Sequence, residues 1–173
     1  MILKIQEDLS EATLDTLVGA YNNLEAEEEL IIYFTSGGGL TKVAEVFVDL
    51  INRNKDRTTL IGYGDICSSA FHAFYLSECK RELLPGAYGM YHQSSMPVDM
   101  NETMRPNYTY GLFQEKYLKV FCSASTMNFC NYLGFDEKQM ALMKKGKDIW
   151  FMPHEMEAFL RTSQRKNYEK RNS

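Results

Sequence analysis

The 173-residue sequence lacks the cysteine patterns that mark zinc sites and disulfide-stapled folds. It contains four cysteines, with no C-x-x-C pair and no close cluster with histidine: Cys67, Cys79, Cys122 and Cys130. Because zinc is usually held by closely spaced cysteine and histidine ligands, we expect no metal site. Free, buried thiols in a reducing compartment are the simplest interpretation.

Long apolar runs and an excess of positive charge are also absent. No stretch approaches the roughly 18 consecutive apolar residues that cross a bilayer. Residues 1–8 lack the basic and then apolar pattern of a secretory signal. The formal net charge of -4 gives no general attraction for nucleic acid. The sequence therefore predicts a cytoplasmic protein that binds neither membrane nor nucleic acid.

The apolar residues that are present suit one domain with one core. They make up 45% of the chain, which is long enough for one buried core and too short for two. Apolar runs at residues 30–34 and 58–63 predict strands buried on both faces. Apolar stripes at residues 40–51 and 68–79 predict a helix after each strand. Alternating strands and helices indicate an α/β fold with a parallel sheet.

Further strands and helices are predicted around this framework. Strands are expected at residues 2–6, 83–84, 89–91 and 149–152. Helices are expected after a capping box at Asp8 and Glu11, over 108–133, from Asp136 to Met143, and from about Pro153. Residues 94–107 predict an irregular loop, because they contain two prolines and little periodicity. The polar residues after 160 predict an exposed tail.

Two glycine-containing turns follow the buried strands. Residues 37–39 are all glycine, and residues 64–68 lead from a glycine to Ser68. Carboxyl ends of parallel strands meet at one edge of a sheet, so both turns should open onto the same region. Glycines let backbone N–H groups approach a substrate carbonyl, and a helix N-terminus favours developing negative charge. These are the parts of an oxyanion hole beside a serine hydroxyl.

A serine nucleophile needs a base, and the chain offers three histidines. His72 lies four residues after Ser68 on the same predicted helix, where an ordinary packed or exposed histidine is expected. His154 follows a proline at a predicted helix start, which suits a capping or surface role. His92 ends the apolar segment at 89–91, so a strand could deliver it to the functional edge. Spacing favours His92 and leaves the other two histidines open.

The successive blocks resemble, in the same order and at similar separations, those of the ClpP peptidases of the crotonase superfamily. Residues 34–39 are similar to that family's apolar strand ending in Asn-Ser-Pro-Gly-Gly. Residues 64–70 resemble its Gly-x-Ala-x-Ser nucleophile block. Residues 84–85 and 90–93 resemble its Leu-Pro and Met-Ile-His-Gln block, and residues 148–151 resemble its Asp-x-Phe-Leu/Met block.

The resemblance implies a serine-type endopeptidase that hydrolyses peptide bonds of peptides or proteins without a cofactor. It places Ser68 as nucleophile, His92 as general base and Asp148 as the carboxylate that orients His92. The N–H groups of Gly38 and Ser69 would form the oxyanion hole. It also implies a ClpP/crotonase-like domain over residues 1–160, followed by a polar, basic tail at 161–173. A handle region at 94–145 would carry a long protruding helix through which homo-oligomeric rings stack.

Departures from the family pattern affect what the resemblance implies. The proline of the glycine turn is missing, Asp65 and Cys67 stand at usually neutral positions, and Ser69 replaces a methionine. Backbone donation by residue 69 survives that last change. The chain starts close to its first helix, which leaves little room for the axial loops that engage ATPase unfoldases. The sequence therefore does not decide whether the chain works with an ATPase unfoldase. It is equally compatible with a stand-alone role, like that of the ClpP-like proteases of bacteriophages in infected cells.

Two other functions remain as alternatives. A catalytically inactive ClpP-like ring or scaffold protein would keep the fold without a productive site. An acyl-CoA-handling enzyme of the crotonase type would use paired backbone N–H groups, although it would not need Ser, His and Asp together. Residues 36–42 resemble a phosphate loop only superficially, because they complete no Walker pattern.

Overall fold

The structure is a computed structural model that describes residues 1–92 and 125–171. The chain divides into two compact units, one of Met1–Tyr91 with Asp148–Ser173 and one of His92–Lys147. In the second unit, residues 125–133 are helical (α4), and α5 follows at Glu137–Lys144. The predicted loop at 94–107 lies outside the described residues, as does the predicted long helix before residue 125.

The first unit contains the sheet and the helices that flank it. Its strands are β1 (Ile2–Ile5), β2 (Leu30–Ser36), β3 (Thr58–Cys67), β4 (Lys80–Leu83), β5 (Tyr88–Tyr91) and β6 (Ile149–Phe151). Its helices are α1 (Glu11–Asn22), α2 (Thr41–Arg53), α3 (Ser68–Leu76) and α6 (Pro153–Arg171), with a 3-10 turn at Lys55–Arg57.

The strands form one largely parallel sheet in the order β1-β2-β3-β5-β6. The long strand β3 pairs with β4 along its first half and with β5 along its last residues. All these pairs are parallel, and only the pairing of β6 with β5 is antiparallel among the described strands. The prediction of a largely parallel α/β sheet with flanking helices is confirmed.

Strand β2 alternates between a fully buried face and a half-buried one. Ile32 and Phe34 are fully buried, and Phe34 stacks on Phe47 of α2 with ring centroids 5.4 Å apart. Ile31 and Tyr33 point to the other face and keep part of their surface exposed. The prediction that β2 is buried on both faces is therefore wrong, because α2 covers one face while the other is covered only in part.

An aromatic cluster around Phe71 fixes α3 against the sheet. The Phe71 ring lies 4.7 Å from that of Tyr75, 5.5 Å from that of Tyr91 and 5.2 Å from that of Phe151. Phe159 of α6 meets the same ring edge-on at 6.4 Å. Each such aromatic pair contributes about 0.5–1.5 kcal/mol beyond its burial. The cluster therefore holds the first turns of α3 firmly at the end of β3.

Helix α1 begins with a different cap from the predicted one. Ser10 is the N-cap, and the Thr13 N–H donates to the Ser10 hydroxyl at 3.4 Å. The Ser10 N–H donates in return to Thr13 Oγ1 at 3.2 Å. The predicted box of Asp8 and Glu11 is wrong, because the backbone of Leu9 first bonds to the turn after β2 and the helix begins beyond it.

The C-terminal residues of the described chain belong to helix α6. Helix α6 continues to Arg171 although the sequence after residue 160 is polar. Ser163 is fully buried, the Gln164 side chain donates to the Arg81 carbonyl at 3.0 Å, and Lys170 pairs with Glu78 at 3.0 Å. These contacts dock α6 along β4. Residues 161–170 are polar and mostly exposed, yet they are helical, because polar contacts rather than an apolar stripe stabilise this part of α6.

The ion pairs at Glu78 tie α6 to the loop after α3. Glu78 accepts from Lys170 and also from Lys55, each at 3.0 Å. Burial alone would raise the pKa of the Glu78 carboxyl, but the two lysine hydrogen bonds outweigh it and leave the pKa lowered. The lowered pKa favours the charged carboxylate, which the ion pairs with Lys55 and Lys170 require.

Other sequence predictions agree with the structure. Asp136 caps α5, and the Gln139 N–H donates to the Asp136 carboxylate at 2.8 Å. Cys67, Cys79 and Cys130 are buried, as expected, whereas Cys122 lies outside the described residues. Within residues 1–92 and 125–171, no helix is long and apolar enough to cross a membrane.

Candidate functional site

The candidate site lies at the edge of the sheet where three parallel strands end. Ser36 ends β2, Cys67 ends β3 and Tyr91 ends β5, while the antiparallel strand β6 starts there at Ile149. Cys67 pairs with Met90, and Tyr91 pairs with Ile149, so these strand ends are level with one another. This edge is where open α/β sheets place their ligands and reacting groups.

Ser68 stands at a sharp turn from β3 into α3. It is the first residue of α3 and has a φ of 53°. Among the residues that the structure describes, it is the one residue other than glycine with a positive φ. Such a left-handed backbone is unfavourable for serine and persists only where the surroundings enforce it. Strained strand-to-helix turns of this kind expose a nucleophilic hydroxyl above a sheet.

The glycine turn, residues 37–39, packs directly against Ser68. A Cβ atom on Gly38 would lie 2.7 Å from Ser68 Cβ and 3.2 Å from Ser68 Oγ. Gly38 has a φ of 128° and Gly39 a φ of 126°, conformations that residues with side chains rarely adopt. A Cβ on Gly39 would collide with the Leu9 carbonyl oxygen. Glycine is therefore required at both positions by close approach as well as by backbone conformation.

We expect Gly38→Ala to lower the free energy of unfolding by about 3 kcal/mol, because it adds a clash with Ser68 to an unfavourable φ. Gly86→Ala is the matched control: Gly86 has a φ of 87° but no atom within 4 Å of an added Cβ. Strain alone should cost that variant about 1 kcal/mol. Urea unfolding measures both, and equal losses would contradict the close packing of Gly38 on Ser68.

Hydrogen bonds hold the glycine turn in place on two sides. The Leu9 N–H donates to the Gly38 carbonyl at 2.6 Å, and the Leu40 N–H donates to the Leu9 carbonyl at 3.1 Å. On the other side, the Ser69 hydroxyl donates to the Gly39 carbonyl at 3.1 Å. The turn and the start of α3 are thus joined directly.

The two predicted oxyanion donors differ in their surroundings. Ser69 lies in the first turn of α3, whose N–H groups have no partner inside the helix and carry the positive end of its dipole. The Gly38 N–H, in contrast, donates to the Ser36 hydroxyl at 3.2 Å. The structure therefore brings Ser68, Ser69 and Gly38 together, with the Gly38 N–H engaged within the chain.

His92 and Asp148 each lie next in the chain to one member of a cross-strand pair. Tyr91 and Ile149 form the last pair of the β5–β6 ladder; His92 follows Tyr91, and Asp148 precedes Ile149. Both predicted residues therefore adjoin the same end of that ladder. His92 is half-buried and Asp148 is exposed. Asp148 belongs to the first compact unit, and the second begins at His92.

Comparison with known proteins bears on the fold. No protein-family model matches the chain, and no curated protein matches it in sequence. Solved structures do match, and one is a single-site mutant of ClpP1 from Listeria monocytogenes. The match covers 91% of this chain and 86% of that one, with a TM-score of 0.65 at 16% sequence identity.

The chain has a ClpP-like fold. This match confirms the fold that the residue blocks predict. At 16% sequence identity it shows the fold alone, so any activity must be argued from the residues of the site. Among the described residues, no group of three or more His, Cys, Asp or Glu side chains could hold a metal ion.

Asp65, a departure from the family pattern, belongs to a bulge in β3. The strand runs past its predicted end at residue 63, and its register with β2 shifts after Phe34. The Thr35 hydroxyl donates to the Asp65 carbonyl at 2.9 Å and closes the bulge. The exposed Asp65 carboxylate accepts a hydrogen bond from Tyr88, which raises the pKa of that phenol. Asp65 is thus bonded to both neighbouring strands, to β2 through its carbonyl and to β5 through its carboxylate.

The other two histidines occupy different environments. His154 is exposed in the first turn of α6. His72 is half-buried in α3 and lies parallel to the Tyr91 ring, with centroids 6.5 Å apart. Burial lowers the pKa of His72 to about 4, so the imidazole is neutral near pH 7. A base with so low a pKa accepts protons weakly at neutral pH.

Burial of His72 predicts a stability loss in mild acid. Between about pH 6.5 and 4 the unfolded chain binds a proton that the folded chain does not, so the free energy of unfolding falls as pH falls. The loss from this residue reaches about 3 kcal/mol. In urea unfolding across this window, His72→Phe should remove that part of the pH dependence and His154→Gln should keep it. An unchanged slope in His72→Phe would contradict this account.

Proposed function

We propose that the chain is a serine-type endopeptidase. The observation that carries the proposal is Ser68 at a strained strand-to-helix turn, in contact with the glycine turn and beside the first N–H groups of α3. An activated serine next to paired backbone donors is the arrangement that acyl transfer to water requires. The ClpP-like fold supports this choice among serine chemistries.

The proposed reaction forms and breaks one acyl-enzyme. Ser68 Oγ attacks the peptide carbonyl while His92 takes its proton, and the carbonyl oxygen becomes an oxyanion bound by the N–H groups of Ser69 and Gly38. The tetrahedral species collapses as His92 passes the proton to the leaving amine. Water then attacks the ester while His92 takes its proton, and His92 returns that proton to Ser68 Oγ as the acid product leaves. Asp148 orients His92 and stabilises its charged form.

The ends of the β5–β6 ladder support the choice of His92 and Asp148. Their chain neighbours are paired, and they adjoin the strand end beside that of β3, which leads into Ser68. The low pKa of His72 supports His92 as base, because His72 is a poor proton acceptor at neutral pH. We further propose peptide or protein substrates, a homo-oligomeric ring and a cytoplasmic location; an ATPase partner stays open.

A catalytically inactive scaffold is the second candidate. Two observations favour it: the Gly38 N–H is bonded to Ser36, and Asp148 is exposed to solvent, where a carboxylate orients a partner less firmly. An enzyme must be able to release that N–H during the reaction, whereas a scaffold need not.

A fluorophosphonate probe and a set of fluorogenic peptides separate the candidates. The peptidase is expected to hydrolyse peptides and to lose that activity in step with covalent labelling. A folded protein that shows neither property would contradict the proposal and leave the scaffold. Binding of coenzyme A in calorimetry, without labelling, would instead indicate a crotonase-type enzyme.

A further inference from the structure

Within residues 1–92 and 125–171, the Ser36 hydroxyl makes two hydrogen bonds, both to Gly38. It accepts from the Gly38 N–H at 3.2 Å and donates to the Gly38 carbonyl at 3.1 Å. Ser36 is only 4% exposed and ends β2, where it pairs with Ile66 of β3. We call this arrangement the Ser36 clamp. It engages the N–H group of one of the two proposed oxyanion donors.

The N–H and the carbonyl of Gly38 depend on Ser36 to different extents. The Gly38 carbonyl also accepts from the Leu9 N–H at 2.6 Å, so it keeps a partner without Ser36. For the Gly38 N–H, Ser36 Oγ is the acceptor that the structure gives within the described residues. Removing the hydroxyl would therefore release the N–H while the carbonyl side of the turn stays anchored.

Release of the Gly38 N–H requires rotation of the peptide group between Gly37 and Gly38, while the Gly38 carbonyl stays bonded to Leu9. Ser36 is fixed by its strand pairing, whereas residues 37–39 lack side chains that would hinder rotation of their peptide groups. A neutral hydroxyl accepts a weaker hydrogen bond than a developing oxyanion does. Exchange of the Gly38 N–H from Ser36 to the substrate oxygen is therefore favoured in the transition state more than in the ground state.

We infer that Ser36 is a positioning residue that restrains the oxyanion hole. Its hydroxyl keeps the Gly38 N–H in a resting arrangement, and acylation of Ser68 requires that bond to break. This inference rests on the proposed peptidase function. It predicts that the chain works below the rate its site could reach, because each acylation must first displace the clamp.

Ser36→Ala tests the inference by the sign of its effect. Labelling by the fluorophosphonate and kcat for a peptide should rise by roughly five-fold, while KM changes little. A structural role would instead lower the rate. Ser36→Thr keeps the hydroxyl and should react like the unmodified protein. Ser77→Ala is the matched control, since Ser77 is also buried and donates to a backbone carbonyl, and it should leave both rates unchanged.

A Ser36→Ala rate equal to or below that of the unmodified protein overturns the clamp and leaves the peptidase proposal intact. Absence of labelling in both proteins overturns the clamp together with the peptidase. Labelling of Ser36→Ala alone supports both. The unmodified protein gives an independent measurement: binding a peptide aldehyde should shift the Gly38 amide proton downfield in NMR. An unshifted Gly38 resonance in a protein that binds the aldehyde overturns the clamp.

Discussion

Ser68→Ala is expected to abolish covalent labelling by a fluorophosphonate, because it removes the oxygen that forms the bond. Peptide turnover should fall by about 10⁴-fold or more, since the remaining groups can only polarise the carbonyl and position water. The fold should survive, because alanine keeps a Cβ in the contact with Gly38 and leaves the backbone of the turn unchanged. Labelling is followed by gel fluorescence, and unfolding by urea titration.

The Ser77→Ala variant controls for the loss of a buried hydroxyl from the same helix region. Ser77 caps the end of α3 and donates to the Ala73 carbonyl at 2.8 Å. Its variant should label as fast as the unmodified protein. Normal labelling of Ser68→Ala would show that another residue is the nucleophile, whatever the fold.

His92→Gln is expected to lower kcat for peptides by about 10³-fold or more, because glutamine can hydrogen-bond but cannot carry the proton. Asp148→Asn should act in the same direction through the orientation of His92. We expect the smaller loss, about 10²-fold, for Asp148→Asn, because its exposed carboxylate works in a high local dielectric.

The other histidines provide the controls for the base. His154→Gln changes an exposed side chain of α6 and should leave kcat unaltered. His72→Phe keeps an aromatic ring beside Tyr91 and should also retain activity. Steady-state kinetics at pH 7.5 measure all four variants. A large loss in His72→Phe with normal activity in His92→Gln would reassign the base.

Local sequence signals predicted much of this fold, because the local preference of most segments agrees with the element that they form. The apolar runs that begin at Leu30 and Thr58 became β2 and β3, and the stripe containing Phe47 became α2. The C-terminal parts of two predicted elements were not predicted, because distant contacts stabilise them. Strand β3 continues past Gly64 through the Thr35 bond, and α6 continues past residue 160 through contacts with β4.

Some residues of the candidate site could likewise be predicted from local sequence, and others could not. Ser68 and the glycine turn follow strands whose apolar runs are visible in the sequence, and the structure places them in contact. The ladder that ends beside His92 and Asp148 joins residues far apart in the chain. The position of His92 after the apolar segment at 89–91 favoured it as base before the family resemblance did, whereas the assignment of Asp148 came from the resemblance alone. The Ser36 clamp had no signal beyond a serine two residues before a glycine, because its meaning depends on where the Gly38 N–H points.

Mass-spectrometric mapping of the fluorophosphonate adduct identifies the nucleophilic residue. The folded, unmodified chain should gain the mass of one phosphonyl group, and fragmentation should place it on Ser68. An unmodified chain, or an adduct on any other residue, would contradict the assignment of Ser68 as the nucleophile.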